Sequence, residues 1–283
     1  MQVIRKLEPA LNVAAASHFT IDSKKVLGNV IESIVLDNAG STALTKANLS
    51  GLTVKGNGKN IFGPISAAQL NSWQVYKNIV ADTGRNTIEF VEKTSRNIQG
   101  QLMGAIDTDA SGITSFVVEG DIATATAPVL TAWVQMRNPA SMAPEKGFDP
   151  GTRALISALI PTSINDSAAG QFPHDINYGS RGNSLIKRVG IFSSTLTSFR
   201  VKADSVDLYE DLSNALAGYF QAENGKDDQS GLIFWDPLMD GNQPDAVLTR
   251  AGNRERTFEF LFTVSGAGAH SVFTDVYTTL LNL

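Results

Sequence analysis

The chain has 283 residues with 42% hydrophobic and 18% charged side chains, 23 Lys+Arg against 28 Asp+Glu, and no cysteine. Such a composition buries a core, so general disorder is excluded. A net charge of −5 argues against wrapping nucleic acid by bulk charge, and the missing cysteine excludes disulfide scaffolds, Cys-ligated zinc and thiol catalysis. The length fits two domains or one large β domain.

The start, Met1-Gln-Val-Ile-Arg-Lys-Leu, has no apolar core after its basic pair and does not read as a secretory signal. No stretch approaches the ~20 apolar residues of a membrane-spanning helix. The expectation is a protein made in the host cytoplasm. Met1–Asn12 places Arg5 and Lys6 among Val3, Ile4 and Leu7, a pattern for an amphipathic arm against an anionic surface. Short runs rich in Val, Ile, Thr and Phe then predict strands over His18–Ser23, Asn29–Asp37, Leu49–Lys55, Thr87–Glu92, Ile113–Asp121 and Pro128–Met136. In the second half the same pattern covers Thr152–Leu159, Ser184–Phe192, Ser198–Lys202, Gly231–Trp235, Ala246–Arg250, Arg254–Val264 and Ser271–Leu280. Phe258, Phe260 and Phe262 share one face of such a strand.

Two segments read as helices. Ile65, Gln69, Ser72, Trp73, Tyr76 and Val80 trace one face, with Pro64 at the start. Leu208, Leu212, Ala215, Leu216, Tyr219 and Phe220 trace another. Asp204 or Ser205 is the expected cap there, and Asp207, Glu210 and Asp211 lie in the first turns.

These helices sit in a repeat. Leu52–Trp73 lies over Phe199–Phe220 without a gap, so that Val54 meets Val201, Lys55 meets Lys202, Ser66 meets Ser213 and Ala68 meets Ala215, each 147 residues apart. Val30–Leu36 aligns with Leu185–Ile191 at 155, Ser115–Gly120 with Thr257–Phe262 at 142, and Val129–Val134 with Val272–Tyr277 at 143. Thr87–Glu92 resembles Gly231–Asp236. The reading is all-β with one helix inserted per repeat: two tandem eight-stranded jelly rolls, 1–140 (with an arm over 1–14) and 141–283. The Pro- and Gly-rich Asn138–Thr152 is the linker.

Few motifs carry chemistry. Gly56–Gly63 lies between a strand and a helix, but its glycines are misplaced for a dinucleotide fingerprint, and its repeat partner Ala203–Glu210 has no glycine. Asp107-Thr-Asp-Ala-Ser-Gly112 matches the first half of a calcium loop, with Asp107, Asp109 and Ser111 as ligands, but position twelve is Val118 where a Glu belongs. A structural Ca²⁺ is the one metal worth testing; no other cofactor is expected. His18, His174 and His270 read as scattered surface or core positions, and Trp73, Trp133 and Trp235 as core.

The opening Leu11-Asn-Val-Ala-Ala-Ala, the strand-turn-helix Phe199–Phe220 and its twin Leu52–Trp73 carry a resemblance. The chain resembles the double jelly-roll major capsid proteins of tailless icosahedral viruses with an internal membrane, above all the compact coat proteins of marine membrane-containing bacteriophages. The resemblance implies no enzymatic activity and a homotrimer of pseudo-hexagonal outline in the virion shell. It also implies contacts with neighbouring capsomers, penton or minor capsid proteins and the viral membrane, and calcium at subunit contacts. Nothing in it implies sequence-specific nucleic-acid binding. Two other readings remain at this level: a jelly-roll carbohydrate-active enzyme or lectin, and a minor capsid or spike protein of the same virus type.

Overall fold

The computed structural model describes residues 2–38, 44–80, 82–179 and 183–283. The chain falls into two compact units. The first runs to Ala158 and takes in Tyr277–Leu281 and Leu283, and the second is Leu159–Val276 with Asn282.

The first unit carries β1 (Gln2–Lys6), β2 (Ser17–Asp22), β3 (Val30–Asp37), β4 (Leu49–Gly56), β5 (Lys59–Ile65), α1 (Ala67–Tyr76) and β6 (Arg85–Glu89). α2 (Ile98–Leu102), β7 (Ile106–Asp107), β8 (Phe116–Ile122), β9 (Thr131–Arg137) and α3 (Pro150–Ala154) follow. One sheet reads β1-β9-β3-β6 and the other β5-β4-β8-β2, with β7 added beside β3. The period-2 pattern decides which side chains face in: Phe116, Val118 and Ile122 of β8 are buried while Asp121 is exposed. Phe19, Ile21, Ile34, Val54 and Val134 complete the core, and Phe62 meets Phe90 edge-on at 6.3 Å.

The second unit carries β10 (Leu155–Asp166), β11 (Gly170–His174), β12 (Leu185–Phe192), β13 (Leu196–Ala203), β14 (Val206–Ser213), α4 (Asn214–Glu223) and β15 (Leu232–Trp235). Short β16 (Val247–Leu248), β17 (Arg250–Ala251) and β18 (Arg254–Glu255) precede β19 (Phe258–Val264) and β20 (Gly268–Thr279). Its sheets read β15-β12-β20-β10 and β11-β19-β13-β14. Leaving out the short extra strands, both units have the same order: first-eighth-third-sixth opposite second-seventh-fourth-fifth. That Greek-key order is the jelly roll, so the chain holds two of them. Phe260 and Phe262 are buried as the alternation requires, and Trp235 packs edge-on to Phe260 at 6.3 Å. Tyr209 stacks on Phe199 at 4.8 Å, and burial pushes its phenol up to about 12.

The repeat extends to turn chemistry. Gly56 pairs with Lys59 and Ala203 with Val206, leaving two-residue turns at Asn57-Gly58 and Asp204-Ser205. All four turn residues have positive φ (51°, 80°, 51° and 68°), as a hairpin matched to strand twist requires. Gly56–Gly63 is therefore a hairpin, with a strand rather than a helix after its turn.

Here several expectations are corrected. The helices begin later than their apolar stripes suggest. α1 is capped by Ser66, whose Oγ accepts from Gln69 N at 3.2 Å in a capping box, and α4 is capped by Ser213. Pro64 lies inside β5, and Asp204, Ser205, Asp207, Glu210 and Asp211 belong to the second hairpin. The reason is geometric: residues four apart share a face in a strand as well as in a helix, so Leu208 and Leu212 fit both. Val80 lies beyond α1 and is 85% exposed. The pairings of Ile88 with Ile34 and of Trp235 with Val189 make Ile88 and Trp235 equivalent, which shifts the sequence match of this strand by three residues. The N-terminal stretch, expected as an arm, is strand β1, paired with β9 from Gln2–Arg137 to Lys6–Trp133; Met1 lies outside the described residues. Trp133 is 37% exposed rather than core. Asn138–Thr152 is folded into short turns and α3, and it buries Met142 and Phe148 against Val30, Val91, Leu102 and Ala105.

Candidate functional site

A buried polar constellation lies in the second unit. His270 Nδ1 is 2.7 Å from Ser193 Oγ, its Nε2 is 3.0 Å from Asp166 Oδ2, and His174 Nε2 is 3.2 Å from Asp166 Oδ1. β10, β11, β20 and the turn after β12 bring these residues together. Serine, histidine and aspartate in a row suggest a nucleophile and its base. The surroundings remove that function. Ser193 Oγ already accepts the backbone N–H groups of Thr195 at 3.1 Å and Leu196 at 2.9 Å, and His270 is 1% exposed. With its lone pairs engaged by two backbone N–H groups and its histidine neighbour buried, the serine is a turn-former. The sequence spacing of the histidines gave no hint of this cluster. His18, by contrast, is on the surface, 2.8 Å from Asp121.

The calcium-loop residues lie in the first unit. Asp107 is fully buried, and its Oδ2 takes the Arg153 guanidinium at 2.7 and 3.0 Å while Oδ1 accepts Ala110 N–H at 3.0 Å. Asp109 is exposed, and Ser111 Oγ is buried without a hydrogen-bond partner. Gly112 adopts φ +65°, the sharp turn its position in the motif predicts. A cation here competes with a guanidinium for Asp107. Among the described residues no group of three or more His, Cys, Asp or Glu is arranged to hold a metal ion.

Arg5 and Lys6 are consecutive on β1 and so point to opposite faces of the strand. Lys6 Nζ stands 6.0 Å from the Trp133 ring centre, Lys25 Nζ donates to Lys6 O at 3.1 Å, and Ile4 is 61% exposed. The result is a small surface patch of cations and apolar side chains. A second apolar surface lies on α4, where Leu216, Tyr219 and Phe220 are exposed. Their repeat partners on α1 are Gln69, Ser72 and a buried Trp73, so the two equivalent helices present different faces. Beside α4 is a cavity of about 650 Å³ with mixed walls, lined by Ser193, Asn214, Gln221 and Asp228 and by Leu196 and Ile233 among others. It has a single acid and no aromatic platform, so it offers neither a glycosidase pair nor a sugar-stacking wall. Among the described residues no helix is long and apolar enough to cross a membrane.

The architecture is that of known shell proteins. The major capsid protein P2 of bacteriophage PM2 superposes with a TM-score of 0.82 at 16% identity, over 99% of this chain and 98% of that one. A chain from the atomic structure of Sulfolobus turreted icosahedral virus gives 0.67 at 13% identity, covering 99% and 91%. One from the PBCV-1 virus capsid gives 0.61 at 10%, covering 98% and 93%. No curated protein is similar enough in sequence to count as a match. The fold class is thus the double jelly roll of capsid proteins. Family models of the viral coat protein P2 N-terminal domain and C-terminal domain match residues 4–137 and 156–280, and the chain belongs to that family. It is a viral coat protein, a structural component of the virion capsid that assembles with other capsid subunits, and not an enzyme.

Proposed function

We propose that this chain is the major shell-forming subunit and works as a homotrimer with a pseudo-hexagonal outline, tiling an icosahedral capsid over an internal membrane. One observation supports this most: the strand order of the two units is the same. Two like units per chain and three chains give six similar corners, the shape that tiles a facet with one gene product. The exposed Leu216, Tyr219 and Phe220 of α4 suit burial between copies. The Ile4, Lys6, Lys25 and Trp133 patch suits an anionic lipid surface, while Arg5 points to the other face of β1. We divide the chain into jelly-roll domains 1–140 and 141–283, with 138–152 as a connection that folds onto the first through Met142 and Phe148. Neighbouring capsomers and penton or minor capsid proteins are its further partners.

The test is native mass together with electron microscopy of the purified chain. A trimer of about 90 kDa with a six-cornered outline is expected. A stable monomer under mild conditions overturns the proposal. Co-flotation with anionic vesicles, lost in Lys6→Glu, tests the membrane side separately. In purified virions a major subunit dominates the protein content; a trace amount points instead to a minor or spike role.

A further inference from the structure

Lys55, Lys77, Lys93 and Lys187 meet carboxylates. Lys46 meets something chemically different. It sits in the 3-10 turn Lys46–Asn48 just before β4, and its Nζ contacts Oδ1 of Asn71, a carboxamide on α1. Both side chains are half-buried. Burial holds the Lys46 ammonium below the usual lysine range, against the opposing pull of the Asp82 carboxylate. Asp82 itself is held ionised by the Gly84 N–H at 2.8 Å and Arg85 at 3.0 Å. An amine with an enlarged neutral fraction therefore rests against an amide carbonyl, within the few ångströms that turn a bimolecular reaction into an intramolecular one.

We propose that Lys46 and Asn71 join through an intramolecular amide bond after the chain has folded. The neutral Nζ attacks Cγ of Asn71, the Nζ–Cγ bond forms, and the Cγ–Nδ2 bond breaks. The proton shed by Nζ leaves on the departing nitrogen, so one molecule of ammonia is released. No oxidant or reductant is needed. The same reaction is not open to Lys187, whose partner Asp275 presents a carboxylate where Asn71 presents a carboxamide, and a carboxylate is a poor electrophile. The new bond clamps the turn before β4 to α1, a covalent staple across 25 residues of sequence in a chain with no disulfide.

The experiment is intact mass of the full chain under denaturing conditions, followed by peptide mapping. A mass about 17 Da below that of the sequence is expected, with a branched peptide joining the Lys46 and Asn71 segments. A chain not yet linked when isolated converts faster at pH 9 than at pH 7, because the attacking species is the neutral amine. Lys46→Arg and Asn71→Ala show the full mass. Loss of ammonia that persists in Lys46→Arg comes from succinimide formation at another asparagine and counts against the proposal. Full mass in the wild type after prolonged incubation at pH 9, with no branched peptide, overturns it.

Discussion

Asp275 lies between two buried cations, with Oδ1 2.7 Å from Lys187 Nζ and Oδ2 3.0 Å from Arg188 Nη1. Lys187 is 0% exposed and Arg188 1%. Replacing Asp275 with Ala removes the shared counter-charge. Arg188 keeps Asp236 at 3.2 Å, but Lys187 loses a 2.7 Å ion pair where almost no water can take its place. Breaking a buried pair in this way costs about 3–5 kcal/mol. At roughly 2–4 °C per kcal/mol for a chain of this size, Tm falls by on the order of 10 °C. The assay is denaturant unfolding followed by fluorescence of Trp235, which is 4% exposed in the same unit, alongside a thermal scan. Two controls sharpen it. Replacing both Lys187 and Asp275 with apolar residues of similar volume recovers much of the loss, because neither charge then has to be held in the interior. Arg200→Ala, which breaks the surface pair with Asp207 at 2.6 Å, produces no comparable shift, since solvent screens that pair. A loss below about 1 kcal/mol for Asp275→Ala would refute the argument that burial, and not distance, gives this cluster its weight.

Ser66→Ala removes the capping box of α1 and lowers stability by about 1 kcal/mol, read as a lower denaturation midpoint at unchanged slope. Acid weakens the β13–β14 hairpin. Thr257 N–H and Arg256 hold the Asp204 carboxyl below its ordinary range, as Arg200 does for Asp207. A carboxyl depressed in the folded state contributes stability above its unfolded value of 3.8 and loses it as pH falls through the folded value. The double variant Asp204→Ala/Asp207→Ala should therefore have a flatter stability profile below pH 4 than the wild type; parallel profiles would contradict this. Because Arg153 occupies Asp107, calcium and a chelator should leave the thermal midpoint of the isolated chain unchanged. A calcium-dependent rise that disappears in Asp107→Asn would place the ion there after all.

The assignment to two jelly rolls was legible because its signals are local and repeated. Strand alternation put Phe258, Phe260 and Phe262 on one face, and the 147-residue spacing of Val54 and Val201 marked two equivalent segments. The hairpin turns themselves were harder to recognise. Asn57-Gly58 is a standard turn pair, but Asp204-Ser205 does the same work with positive φ at residues that seldom accept it, so β14 passed for the first half of a helix. A face spaced four residues apart does not distinguish the two elements until a partner strand pairs with one of them.

Composition, alternation and the repeat by themselves determined that this chain is β-rich, built twice from one plan and without thiol chemistry. Tertiary structure decided what depends on distant segments meeting. It made the N-terminal stretch a strand, because β9 supplies its hydrogen bonds. It gathered His174 and His270 around Asp166 and fixed Asp107 on Arg153. It also left the α4 face apolar where its twin on α1 is polar or buried. Periodicity is written in neighbouring residues, whereas a partner 46 or 103 positions away is chosen only when the chain has folded.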